Sequence, residues 1–168
     1  VGIIDWRVAQ CEKLDVSIRT NTWAEAPDVL AENPDVVIIA TGGMPNTEFL
    51  EAGDDLAVTT WDIISGAVKP AENVLLFDDN GGQAGLQAAE FIAEAGSKLE
   101  IFTPERFFAP DVGGLNHVPY AQCFEKHDVT ITLNQRLTSI RRDGNGLVAV
   151  IGSDYSDLVR EQRIDQVV

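Results

Sequence analysis

The sequence is poor in the residues that much of protein chemistry relies on. Its 168 residues include only two cysteines and two histidines. Lys and Arg number 12 against 27 Asp and Glu, a net charge of -15. Cys11 and Cys123 form no C-x-x-C pair and are expected to be reduced thiols. Together with His117 and His127 they match no metal-ligand spacing, so no metal site is expected. The shortage of basic residues argues against nucleic acid and anionic membranes as partners. No apolar run approaches the roughly 18 residues of a membrane helix. The first residues lack the basic-then-apolar pattern of a secretion signal. The expected location is therefore cytoplasmic. Repeats, low-complexity tracts, a Ser-His-Asp set and a paired-carboxylate site are all missing from the sequence.

What is present is an alternation of helical and buried-strand patterns. Hydrophobic content of 45% and charged content of 23% are ordinary for a globular chain. Ile4, Val8, Cys11 and Leu14 recur at helical spacing and predict a helix over 3–14. A short strand is expected over 16–19 and a short helix over 26–32. The run 36–40 is β-rich and apolar, which suits a strand buried on both faces of a parallel sheet. A helix over 60–65 has Thr59 or Thr60 to cap it and Gly66 to stop it. Buried strands follow over 74–77 and 99–102, with a helix over 86–95 between them. Gly113, Gly114 and Pro119 punctuate a loop ahead of a helix over 120–126. Residues 129–133 alternate as a strand does. Strands over 137–142 and 147–151 flank Asp143-Gly144-Asn145-Gly146, a hairpin signal. Residues 154–163 are expected as a strand or irregular arm, and 164–168 as the start of a further strand. The fold class is α/β, a Rossmann-like parallel sheet with right-handed crossovers and a small β-hairpin.

The segment Asp35-Val36-Val37-Ile38-Ile39-Ala40-Thr41-Gly42-Gly43-Met44-Pro45 delivers a glycine-rich turn at a strand's carboxyl end. Ligands of open α/β sheets sit at that edge. The run resembles the Ala-Thr-Gly segment that closes the first half of the FAD-binding domain in two-dinucleotide-domain flavoproteins. The resemblance implies that Ala40, Thr41 and Gly42 lie beside FAD or ADP. Trp23 is the best stacker for an adenine there, while Trp6 and Trp61 suit core or interface positions. Within that superfamily the sequence resembles the trimethylamine dehydrogenase, histamine dehydrogenase and 2,4-dienoyl-CoA reductase family over nearly its whole length. That family implies FMN and a 4Fe-4S cluster in a TIM barrel, with the catalytic residues, outside this sequence. The resemblance also makes the chain an internal piece: residues 1–55 part of an FAD- or ADP-binding domain, 56–168 an NAD(P)-binding-like Rossmann domain. Alone, such a piece is expected to be inactive and to hold no FAD tightly.

A dinucleotide site wants Gly-x-Gly-x-x-Gly straight after its first strand, with the pyrophosphate on the helix N-terminus. Here residues 74–77 are followed by Asp78-Asp79-Asn80-Gly81-Gly82-Gln83-Ala84-Gly85. Gly81, Gly82, Gln83 and Gly85 are the NAD(P)-like loop, set about two residues later than the pattern requires. Asp78 and Asp79 oppose a pyrophosphate. Glu105 and Arg106 are weakly placed to meet a ribose or its 2′-phosphate. The acidic loop resembles the amine dehydrogenase branch, in which reducing equivalents leave through the cluster to an electron-transfer protein. It implies a loop vestigial for NAD(P), an amine substrate, an electron-transfer flavoprotein partner and a homo-oligomeric enzyme. A working NAD(P)H-dependent reductase of the dienoyl-CoA reductase type is the rival enzyme reading. A receiver-like module is another, since residues 74–80 resemble a receiver's acidic first strand, but no phosphoaccepting Asp follows the third. A scaffold or interface domain is the remaining reading.

Overall fold

The computed structural model describes residues 2–157 and 159–168. Two compact units divide the chain, Val1–Gly42 and Gly43–Val168. In the first unit, helix α1 spans Gly2–Lys13 and α2 spans Ala26–Ala31. Pro27 stands in the first turn of α2, where its missing N–H costs nothing. Glu25 donates its N–H to Asp28 Oδ2 at 3.0 Å, which caps that turn.

The strands expected over 16–19 and 36–40 do not form. Val36, Ile38 and Ile39 are 76%, 86% and 82% exposed rather than buried on two faces. A strand is held by ladder hydrogen bonds from a neighbour. Among the described residues none pairs with 36–40. The same unit leaves Trp6 and Trp23 exposed, so Trp6 takes no core position, and none of its described residues is buried.

The second unit holds a four-stranded parallel sheet and a three-stranded antiparallel sheet. Thr59 caps α3 (Thr60–Ser65): its hydroxyl accepts the Asp62 N–H, and Asp62 Oδ2 accepts the Thr59 N–H. Gly66 ends that helix at φ +77°, a left-handed conformation that glycine adopts without strain. Strand β1 (Asn73–Phe77) leads through α4 (Gln83–Glu94) to β2 (Lys98–Phe102). From there α5 (Gly114–Lys126) leads to β3 (Thr130–Thr132). Helix α5 starts six residues before its expected place and contains Pro119. The Gly113 carbonyl, which accepts the N–H groups of Asn116 and His117, sets its first turn.

Strands β4 (Arg136–Asp143), β5 (Gly146–Gly152) and β6 (Val159–Ile164) form the antiparallel sheet. The first two are the expected hairpin, closed by Gly144 and Asn145 with Gly144 at φ +61°. Strand β7 (Gln166–Val167) returns to the parallel sheet beside β1, giving the order β3-β2-β1-β7.

The period-two alternation of β1 sorts its side chains into two cores. Val74 and Leu76 face the helices, packing with Ile63, Leu86, Ile92 and Phe124. Leu75 faces the antiparallel sheet, packing with Leu137, Ile140, Ala149 and Ile151. The unit is thus a sandwich of helices, parallel sheet and antiparallel sheet. Each fully buried aliphatic side chain contributes about 1.5–3 kcal/mol. No helix among the described residues is long and apolar enough to cross a membrane.

A polar clasp ties β2 to β6. Glu100 Oε1 accepts from Arg160 Nη2 and Thr132 Oγ1, each at 3.0 Å, and Oε2 accepts from Gln162 Nε2 at 2.7 Å. Burial alone raises the Glu100 pKa, but the bonds from Gln162, Thr132 and Arg160 and the Arg160 charge together hold it below the ordinary glutamate value. The folded pKa is depressed, so this stabilisation is present above the unfolded glutamate pKa and is lost as pH falls through the folded one. Glu100→Ala should cost about 2 kcal/mol in urea unfolding at neutral pH, and the difference from wild type should shrink in acid. An equal difference at both pH values would count against this account.

Candidate functional site

A cleft of about 420 Å³ opens at the carboxyl ends of β1 and β7. It lies where β1 has β2 on one side and β7 on the other, the topological switch point of the parallel sheet. Met44, Pro45, Phe49, Trp61 and Phe77 supply apolar wall. Asp78, Asp79 and Asn80 supply its polar end, beside Ala84 and Gly85 of α4.

The β1–α4 loop is built around one carboxylate. Asp78 donates its N–H to the Phe102 carbonyl at 3.0 Å, which extends the sheet by a residue. Its side chain turns inward and the residue is only 4% exposed. Oδ1 accepts the N–H groups of Asn80 and Gly81, both at 3.2 Å. Oδ2 is sealed from solvent and has no hydrogen-bond partner among the described residues. Burial raises the Asp78 pKa, the Gly81 and Asn80 N–H groups pull it back, and the charges of Asp79 and Glu105 add to the rise.

The glycines make room for that carboxylate. A Cβ at Gly85 would lie 2.8 Å from Asp78 Cγ and 3.0 Å from each carboxylate oxygen. Gly81 has φ +72°, and a Cβ there would meet Pro110 Cγ at 2.8 Å. Gly82 is the N-cap of α4 and Gln83 its first residue, with the Gln83 side chain exposed. Counted back from Gly85, Gly82 keeps the second glycine place of the dinucleotide pattern and Asn80 takes the first. Relative to the helix, then, the glycines are in step. The extra residues are Asp78 and Asp79, on the strand side.

These residues do not fit a dinucleotide pyrophosphate. The space that Gly85 leaves open is taken by a carboxylate of the chain itself, and a second carboxylate, Asp79, stands exposed beside it. Among the described residues no Lys, Arg or His lines the cleft. At the end of β2, Glu105 and Arg106 are exposed, and the Glu105 N–H is bound to Thr103 Oγ1. Ala40, Thr41 and Gly42 lie in irregular, exposed chain of the first unit, with Gly42 at φ +72°, and Trp23 is 89% exposed. Away from the cleft, Glu90 and Glu94 of α4 and Cys123 of α5 bring their ligand atoms within 4.8 Å of one another, a grouping no sequence spacing revealed. Burial, and then the two glutamate charges, push the Cys123 thiol up. The buried state of Asp78 and the part of Trp61 in the cleft wall were equally hidden in the sequence. The acid directly after a fully apolar strand was the one available signal.

No family model matches the chain. It is 56% identical over all 168 residues to the probable N-methylproline demethylase of Rhizobium meliloti (strain 1021), covering 25% of that protein. Over 99% of its length it is 36% identical to the N,N-dimethylglycine/sarcosine dehydrogenase of Chromohalobacter salexigens, again covering 25% of the relative. A solved 2-naphthoyl-CoA reductase in complex with 2-naphthoyl-CoA superposes on 95% of the chain at TM-score 0.76 and 29% identity, over 23% of that structure. The chain belongs to the trimethylamine dehydrogenase, histamine dehydrogenase and dienoyl-CoA reductase family of oxidoreductases. It spans a quarter of the length of the curated relatives it matches.

In this family member the Asp78–Gly85 contact makes two outcomes measurable. Gly85→Ala should destabilise by about 1–3 kcal/mol despite alanine's better helix propensity, because the new methyl overlaps the carboxylate. A rise in melting temperature would contradict the packing described. Asp78 has its folded pKa above the unfolded value, so wild-type stability falls as pH rises from the unfolded to the folded pKa. Asp78→Asn escapes that loss. It should be more stable than wild type by about 1 kcal/mol near neutral pH, with the gain vanishing below the unfolded aspartate pKa. Thermal melts across that range check the sign.

Proposed function

We propose that this chain is the nucleotide-binding-fold part of a flavin-dependent amine dehydrogenase or demethylase that acts on small N-methylated amines. The observation that carries the reading is the buried Asp78 carboxylate at the start of α4, where a pyridine dinucleotide would place its pyrophosphate. Likeness to an N-methylproline demethylase and a dimethylglycine/sarcosine dehydrogenase supports the substrate class. On this reading FMN and a 4Fe-4S cluster sit in a barrel outside this chain, and the catalytic residues with them. FAD or ADP belongs to the domain that includes residues 1–55, with Ala40, Thr41, Gly42 and Trp23 on its side. Residues 56–168 keep the shape of an NAD(P) domain without its use. Oxidation of the amine is chemistry the flavin supplies. What the present residues contribute is a fold closed to NAD(P)H, so electrons pass instead to an electron-transfer flavoprotein. The enzyme is soluble, cytoplasmic and homo-oligomeric in this proposal.

An NAD(P)H-dependent reductase is the second reading. Gly82 and Gly85 keep their dinucleotide spacing relative to α4, and a 2-naphthoyl-CoA reductase is among the structures the chain resembles. The two readings separate in the full-length protein that carries this chain. N-methylproline or N,N-dimethylglycine should bleach the flavin absorbance, whereas NADH and NADPH should give no calorimetric binding at micromolar concentration. Micromolar binding of either nucleotide would sink the first reading.

A further inference from the structure

Charge is one barrier to a dinucleotide at the β1–α4 loop, and the loop's own side chains supply a second. In the dinucleotide pattern the second glycine lets the backbone approach the pyrophosphate, and the third lets the helix close on the strand. Gly82 and Gly85 hold those two places. Both openings are already filled. A Cβ at Gly82 would lie 2.8 Å from Asn80 Oδ1, and a Cβ at Gly85 would lie 2.8 Å from Asp78 Cγ. Among the described residues beyond its chain neighbours, Asn80 alone comes within 4 Å of the Gly82 position.

The two side chains also act on one another. Asp78 Oδ1 accepts the N–H groups of Asn80 and Gly81, both at 3.2 Å. The first bond fixes the backbone from which the Asn80 side chain reaches over Gly82. Both bonds engage loop donors that a phosphate would otherwise receive. Asn80 itself stands in the first glycine place, counted back from Gly85. A glycine there has no side chain to lay over Gly82. Behind the loop, α4 is regular from Gln83 to Glu94, and its first residues, Gln83 and Ala84, are exposed.

We propose that Asn80 and Asp78 set the specificity of this loop. Asn80 covers the pyrophosphate approach at Gly82, and Asp78 holds Asn80 in that place while it fills the space beside Gly85. The proposal rests on the reading that the domain is closed to NAD(P)H, and it names the side chains that close it. The closure is therefore local, with a dinucleotide cradle behind two side chains.

The test is calorimetric titration of NADH and NADPH into the full-length protein that carries this chain, as wild type, Asp79→Asn and Asp78→Ala/Asn80→Gly. Wild type should bind neither nucleotide. Asp79→Asn removes a charge beside the loop but leaves both covering side chains in place, so it should bind neither as well. The double variant should gain one equivalent of nucleotide per chain, at least about tenfold tighter than any binding by wild type, because each N–H freed for a charged acceptor is worth about that factor. The difference between proteins cancels any nucleotide held elsewhere. No gain in the double variant would overturn the proposal alone. So would an equal gain in Asp79→Asn, since charge would then be the whole barrier. Micromolar binding by wild type would sink the underlying reading and the proposal with it, so the two failures are distinct. If the double variant fails to fold, Asn80→Gly alone decides, because it keeps Asp78 and empties the Gly82 opening. It should show a weaker gain of the same kind, and no gain would overturn the proposal.

Discussion

The second unit depends on β1 being buried on both faces. Val74, Leu75 and Leu76 are fully buried, yet they belong to different cores, because successive side chains of a strand point to opposite sides. Helices cover one face and the β4–β6 sheet the other. The neighbours of β1 on both edges are also parallel, so its backbone is paired along each side. Everything that positions the cleft follows. Strand β7 can close the sheet only because β1 has an open edge, and the Phe77 N–H bound to the Val168 carbonyl at 2.8 Å brings the chain's last residue to the cleft wall.

A carboxylate at the end of that strand changes what the fold can do. Strand, glycine-bearing loop and helix are the parts of a phosphate cradle. Asp78 occupies the cradle from within, held by two loop N–H groups and admitted by the missing side chain of Gly85. The architecture is that of a dinucleotide domain, and the electrostatics oppose a dinucleotide's pyrophosphate. The site's charge, not its shape, carries the functional argument.

Much of this was legible in the sequence. The apolar runs at 74–77 and 99–102, the Thr59 and Gly66 signals around α3 and the glycine-bearing hairpin turn each report on local chemistry, and each appears where its residues imply. The run 36–40 is as apolar as β1 but forms no strand, because composition says that a segment can be buried and not what is there to bury it. Likewise Trp6 and Trp61 are exposed, although large aromatics usually find cover. Pro119 read as a loop marker and sits inside α5, where tertiary packing of Phe124 against the helical core outweighs a local preference.

The sequence by itself determined the alternation of strand and helix, the acidic balance and the family, since these rest on periodicity, composition and residue order. Only the tertiary structure decided the state of the Asp78 loop. Two adjacent aspartates after a strand are indistinguishable in sequence, but the pleat and the space beside Gly85 bury Asp78 and leave Asp79 in water. Burial, orphaned oxygens and raised pKa values are properties of surroundings, and the surroundings of Asp78 come from β1, α4 and the loop that folds over it.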